Sequence, residues 1–166
     1  MNVEKRYILN PGDVAHKIKR LAFEIAERNI AENIIYFAAI QENGAVLAQK
    51  IKKQLASICP LEIRLLTVSL DKRNPDTIEV QPQMPEKNAV IIMIDDVSSS
   101  GKTLLYAMQP FLTAAPKRIQ TLVLVERTHK AFPLLVDYVG LSVATTLEEH
   151  IFVEVEGEDV SGAYMR

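Results

Sequence analysis

The chain carries almost no net charge. Its 19 lysines and arginines against 21 aspartates and glutamates leave a formal −2 over 166 residues, scattered through both halves. No global field draws it to nucleic acid or to a membrane surface, so any anion site has to be local. Long apolar runs are missing too: stretches such as residues 90–94 fall far short of the roughly 18 residues a membrane-spanning helix needs. The opening MNVEKRYILN lacks a cationic region followed by a long apolar stretch and a small-residue cleavage site, and does not read as a signal peptide. Cys59 is the one cysteine, so an internal disulfide is excluded, which fits a reducing, cytoplasmic setting. It follows a helical pattern, directly precedes Pro60 and reads as a plain buried thiol. Internal repeats and low-complexity tracts are absent.

What is present is the make-up of one globular domain spanning residues 1–166, 48% hydrophobic and 24% charged. Asn10 before Pro11 makes an N-cap and first-turn pair, and Val14, Ile18, Leu21, Ala22 and Ile25 recur at helical spacing, which predicts a helix to about Asn29. Residues 34–40 form a short apolar run, followed by Asn43-Gly44 and then by Val46, Leu47, Ile51 and Leu55 at helical spacing: strand, loop, helix. Residues 63–70, 90–94 and 119–125 read as further strands and 103–109 as a helix, with residues 151–155 as a final strand. Near-continuous apolar strands alternating with helices imply an α/β fold with a parallel sheet covered on both faces. The Pro-, Asn- and Lys-rich interval 71–88 lies between core strands and reads as a functional lid loop.

Chemistry concentrates in residues 90–103, VIIMIDDVSSSGKT. In an open parallel sheet, ligands bind beyond the carboxyl ends of strands, where loops pass into helices. Asp95 and Asp96 sit at such an end, and two adjacent carboxylates there need a partner; a ribose 2,3-diol supplies one. Ser98-Ser99-Ser100-Gly101-Lys102-Thr103 then offers hydroxyls and backbone N–H groups to an anion, with Gly101 allowing close backbone approach. Carboxylates for sugar hydroxyls beside amides for a 5-phosphate describe a phosphorylated ribose. The P-loop is the rival, since Gly101-Lys102-Thr103 satisfies its ending. That motif also needs glycine five residues before Gly101, where this chain has Asp96, a carboxylate that repels a nucleoside triphosphate.

The segment resembles the 5-phosphoribosyl-1-pyrophosphate (PRPP) motif of the type I phosphoribosyltransferases. Over nearly the whole chain the resemblance is to the pyrimidine-operon attenuator family, which combines RNA-binding regulation with uracil phosphoribosyltransferase activity. It is carried by residues 24–29 (EIAERN), by Gly44-Ala45-Val46-Leu47-Ala48, and by Arg127-Thr128-His129-Lys130, Pro133 and Asp137-Tyr138-Val139-Gly140. The resemblance implies a parallel-sheet core with a small C-terminal hood at about residues 127–155, a homodimer, PRPP and a nucleobase as ligands, and Mg2+ arriving with PRPP. It implies Asp95 and Asp96 as the acids on the ribose, Ser99, Ser100, Gly101, Lys102 and Thr103 around the 5-phosphate, and Asn43 and Gly44 at the pyrophosphate. In the lid, Asp71-Lys72-Arg73 loosely echoes the family's Arg-Asp-Asp segment, with Arg73 the catalytic cation. Tyr138 is expected to stack on the base while the Val139 backbone reads its edge.

Departures set further expectations. Six-oxopurine enzymes of this fold carry an acid two positions before the loop glycine, where this chain has Ser99, which argues against purines. Ser98 replaces the usual aliphatic residue. The attenuator family has a basic residue just before the pyrophosphate-loop glycine, whereas Glu42-Asn43 supplies no positive charge. Loss of one charge-assisted hydrogen bond costs about 1.5–3 kcal/mol, so reduced transfer is expected. An RNA-binding face would draw on Lys17, Lys19, Arg20, His129 and Lys130. The family's polar RNA-contact positions on the first helix are Lys19 and Phe23 in this chain, which favours a solvated helix face. The acids Glu148, Glu149, Glu154, Glu156, Glu158 and Asp159 read as a charged edge. Two functions follow: a transferase acting on PRPP and uracil, or a PRPP- or nucleotide-sensing regulator with weak catalysis.

Overall fold

Asn10 caps the first helix from both sides. In the computed structural model, which describes residues 4–166 apart from Lys72 and Leu147, its side chain accepts from the Asp13 N–H at 2.9 Å. The Asp13 carboxylate accepts from the Asn10 N–H at 3.0 Å. This capping box satisfies two otherwise orphaned donors and fixes the start of α1 (Pro11–Arg28) directly after strand β1 (Arg6–Leu9). The helix buries Val14, Ile18, Leu21, Ala22 and Ile25, the stripe its spacing predicts. Truncating a residue such as Leu21, fully buried, costs about 2–5 kcal/mol in comparable cores.

The chain continues through β2 (Ile34–Ile40), α2 (Asn43–Ala56), β3 (Glu62–Leu70), β4 (Ile78–Gln81) and β5 (Val90–Ser98). Two short helices, α3 (Lys102–Ala107) and α4 (Gln109–Leu112), lead to β6 (Arg118–Arg127) and β7 (Tyr138–Val143). These strands form one sheet in the order β4-β3-β2-β5-β6-β7, parallel throughout except for β4, which pairs antiparallel with β3 at the edge. The all-apolar sequence of β2 follows from burial on two sides. Ile35, Phe37 and Ala39 join the cluster under α1 and α2, while Tyr36, Ala38 and Ile40 join the one that holds Leu104, Ala107 and Phe111. The α/β expectation is met.

A second, antiparallel sheet in the order β1-β9-β8 is made by β1, β8 (Ile151–Glu156) and β9 (Asp159–Met165). It brings both ends of the chain together, with Arg6 and Ile151 both opposite Met165. Its Leu9, Ile151, Val153, Val160 and Ala163 share an apolar cluster with α1, α2 and Ile92 and Ile94 of β5.

Three expectations change. The small sheet combines β1 with residues from 151 onward, so a hood of residues 127–155 misplaces it: β7 extends the large sheet, and β8 is followed by β9. The interval 71–88 is not structureless, because Ile78-Glu79-Val80-Gln81 alternates half-buried and exposed positions along β4. Lastly, β5 runs on through both aspartates to Ser98, since Asp95, Val97 and Ser98 pair laterally with Val123, Val125 and Glu126 of β6.

Candidate functional site

The sheet order reverses between β2 and β5. From β2 the chain moves to β3 on one side, and from β5 to β6 and β7 on the other, which leaves a crevice beyond the carboxyl ends of the two central strands. Two loops meet there. The first leads from β2 into α2 and carries Gln41, Glu42, Asn43 and Gly44. Gly44 is buried, and a Cβ on it would lie 2.8 Å from the Ile94 carbonyl oxygen and 3.3 Å from the Asp95 Cα. The missing side chain lets the first turn of α2 rest on β5, which brings Asn43 to the aspartates. The Asn43 amide donates to Asp96 Oδ2 at 2.9 Å and to the Val153 carbonyl at 3.2 Å. One side chain thus joins the β2–α2 loop, the acidic pair and strand β8 of the small sheet.

The second loop runs from Asp95 to Thr103. Asp95 is 1% exposed and accepts from the Asp96 N–H through Oδ1 at 2.9 Å. Asp96 is half-buried, and its Oδ1 accepts from the Val97 N–H at 2.9 Å. Ser100 Oγ accepts from the Lys102 N–H at 3.2 Å. From outside, the Ser100 carbonyl accepts from the N–H groups of Ala131 and Phe132 at 3.1 and 3.0 Å. Gly101 has φ of 82°, in the left-handed region, and a Cβ there would meet Leu134 Cβ at 3.3 Å. Backbone geometry and the neighbouring segment both require glycine. Asp95, Ser98, Ser99, Ser100, Gly101 and Thr103 line one small pocket.

Not every expected residue joins this centre. Tyr138 is fully buried in the cluster under α1, its hydroxyl receiving a hydrogen bond from Asn29 at 3.2 Å and donating one to Gln120 at 3.2 Å. The Arg28 guanidinium lies over its ring, 4.8 Å from the centroid. With both ring faces enclosed it presents no platform to a base, and burial pushes its phenol above the ordinary range, against the opposing hydrogen bond from Asn29. The Val139 carbonyl accepts from Arg20 at 2.8 Å. The Tyr138 assignment is corrected: the sequence signal at 137–140 belongs to a sheet edge packed by α1, where Gly140 is needed because a Cβ would lie 2.3 Å from the Leu124 carbonyl.

Arg73 stands exposed between β3 and β4, its N–H donating to Asp71 at 2.8 Å. This segment flanks the β2–α2 loop, because Gln41, Asp71, Asn74 and Asp76 line a common pocket. Lys72 lies outside the described residues. Of the cations considered for a nucleic-acid face, Arg20 bonds Glu24 and the carbonyls of Val139 and Gly140, and Lys130 pairs with Glu126 at 2.6 Å. Lys19 and His129 remain exposed. The sequence gives no sign that Val153 and the bracing segment 131–134 meet the site, since they do so through backbone atoms and side-chain packing that one-letter patterns do not report.

Residues 7–158 match the phosphoribosyl transferase domain. The chain belongs to that family. Phosphoribosyltransferase relatives include the bifunctional protein PyrR of Herpetosiphon aurantiacus, 28% identical with 94% of this chain and 93% of the relative covered. The bifunctional protein PyrR of Clostridium acetobutylicum is 30% identical over 96% and 94%. These relatives bear out the resemblance to the pyrimidine-operon attenuator branch. Among solved structures, the hypoxanthine phosphoribosyltransferase of Trypanosoma cruzi superposes with a TM-score of 0.77 at 15% identity, covering 96% of this chain and 90% of its own. That likeness establishes the phosphoribosyltransferase fold. Among the described residues no helix is long and apolar enough to cross a membrane.

Proposed function

We propose that this phosphoribosyltransferase transfers the phosphoribosyl group of PRPP to uracil, giving UMP and pyrophosphate. One observation carries the reading: the carboxylates of Asp95 and Asp96 stand at the switch point beside the Gly101 turn, and Asn43 ties Asp96 to the loop where the diphosphate would leave. Asp95 and Asp96 would hold the ribose hydroxyls, and Ser99, Ser100, Gly101, Lys102 and Thr103 the 5-phosphate. A ring nitrogen of uracil would form the new bond to the anomeric carbon as that carbon's bond to the diphosphate oxygen breaks, the diphosphate leaving with the bonding pair and the ring N–H proton passing to solvent. With little covalent work for the protein, positioning and electrostatics supply the rate.

The residues fit Mg2+ only in part. Among the described residues no three acidic, histidine or cysteine side chains form a cage, yet the paired carboxylates of Asp95 and Asp96 are hard oxygen donors suited to a cation that keeps waters and substrate oxygens. Bound there with PRPP, Mg2+ would neutralise charge on the departing diphosphate. With Tyr138 buried, the base would rest against half-buried Val97 and the start of β8, a position supported by the bond of Asn43 to the Val153 carbonyl of that strand. Uracil is preferred to a six-oxopurine because Ser99 supplies no acid.

A second reading, a nucleotide-sensing regulator with weak transfer, is favoured by the same Asn43. Its amide is engaged with Asp96 and brings no positive charge to a diphosphate. Pyrophosphate release from PRPP and Mg2+ with uracil, hypoxanthine, guanine, adenine or orotate separates the two. Release with uracil supports the transferase. Tight UMP binding without turnover on any base sinks it and leaves the regulator.

A further inference from the structure

Among the described residues three buried side-chain polar atoms have no hydrogen-bond partner: Ser98 Oγ and the Nε atoms of Arg118 and Arg127. The two arginines bond through their terminal nitrogens, to Asn29 and to the Glu149 carbonyl. Only at Ser98 is a whole side-chain polar group left unpaired. The residue is 3% exposed at the end of β5, a position where an aliphatic side chain would pack at no such cost. Its lateral neighbour Glu126 offers no ready acceptor, since Oε1 accepts from Ser142 at 2.7 Å and Oε2 from Lys130 at 2.6 Å. A buried hydroxyl without a partner is costly, and natural proteins keep one where something else completes it.

Ser98 lines the pocket formed by Ser99, Ser100, Gly101 and Thr103. We infer that Ser98 is a further ligand-binding residue of this chain, its hydroxyl donating a hydrogen bond to the 5-phosphate from the floor of the loop. The inference rests on the reading of residues 99–103 as the phosphate cradle. A phosphate monoester suits the position: its oxygens only accept, the hydroxyl can rotate to donate, and a bond to a charged acceptor is stronger than one to a neutral group. Ser100 Oγ already closes the turn on the Lys102 N–H, so Ser98 adds a donor that the turn itself does not use.

The test measures ribose 5-phosphate and UMP affinity by calorimetry for the wild-type chain, Ser98→Ala and Ser98→Val, together with the melting temperature of each free protein. Both variants are expected to bind both ligands about tenfold more weakly, with melting temperatures equal to or above wild type, because the free protein loses no hydrogen bond. Wild-type binding with unchanged affinity in both variants overturns the role of Ser98 and leaves the cradle standing. A lower melting temperature in Ser98→Ala and Ser98→Val alike also overturns it, since the hydroxyl then has a partner inside the free protein. No binding of either ligand by the wild type overturns the cradle reading itself.

Discussion

The side-chain amide of Asn43 donates to the Asp96 carboxylate at 2.9 Å, so the residue that departs from the family's basic pattern is the one that holds the acid proposed to bind ribose. Asn43→Lys places a cation where the diphosphate is expected and keeps a donor facing Asp96. Affinity for pyrophosphate should rise about tenfold, the worth of one charge-assisted hydrogen bond. Calorimetry with pyrophosphate and Mg2+ checks it; equal affinities would remove the β2–α2 loop from the diphosphate site.

Asp96→Asn keeps the shape of the side chain and removes its charge. PRPP affinity should fall at least several-fold, about 1.5–3 kcal/mol if the full charged hydrogen bond is lost. The circular dichroism spectrum should not change, because Asp96 is only half-buried. An unchanged PRPP affinity counts against Asp96 as the ribose acceptor.

Gly101→Ala should be damaging for two independent reasons. Its φ of 82° is strained for any residue with a Cβ, and that atom would press on Leu134 at 3.3 Å. The strain costs about 1–2 kcal/mol, read as a lower denaturation midpoint. Nucleotide affinity should fall with it, since the loop can relieve the contact only by moving away from the segment that braces Ser100. A second change, Leu134→Ala, should recover part of the stability lost to the contact and none of that lost to φ.

Much of this architecture was legible because it rests on local patterns. The Asn10–Pro11 start, the stripe on α1, the two-faced apolar strand β2 and the acid–serine–glycine loop each declare themselves within a few residues. What escaped depends on distance in the chain. The pairing of β1 with β9 joins residues at opposite ends, and the Val153 carbonyl acts through a backbone atom. Tyr138 misled for a related reason: its expected role as a base platform comes from the family likeness of residues 137–140, and only the position of α1 shows that its ring is sealed beneath Arg28. The need for Gly101 was foreseen from ligand approach, while the structure adds positive φ and the nearness of Leu134.

Tyr138→Phe separates a core residue from a base platform. Removing the hydroxyl leaves the Asn29 amide and Gln120 each one partner short, for a loss of about 0.5–1.5 kcal/mol, and UMP affinity should stay the same. Burial raises the phenol above its ordinary value of 10.0. The neutral form is the one the fold favours, so its contribution is whole below that value and is lost as pH rises toward the folded pKa. In ultraviolet titration Tyr138 should therefore contribute to a late component, together with Tyr7, which its hydrogen bond to Glu154 also raises, and that component should shrink but persist in Tyr138→Phe.

The small sheet should weaken in acid. Glu149 lies below the ordinary glutamate value of 4.5, chiefly because its carboxylate accepts from the Thr146 N–H at 2.9 Å, with Arg6 nearby at 2.7 Å. Glu154 is lowered chiefly by its hydrogen bond from Lys5 at 2.6 Å. For carboxylates depressed in the folded state, the stabilisation is present above the unfolded value and is lost as pH falls through the folded one. The window therefore opens at about 4.5 and extends downward. Both groups face solvent, which keeps the effect small and sensitive to salt. Glu149→Gln should melt below wild type at neutral pH, and the gap should narrow steadily as pH falls below 4.5, as wild type loses the same charge. A gap of constant size across the range would mean that the side chain holds Arg6 and Thr146 by shape alone.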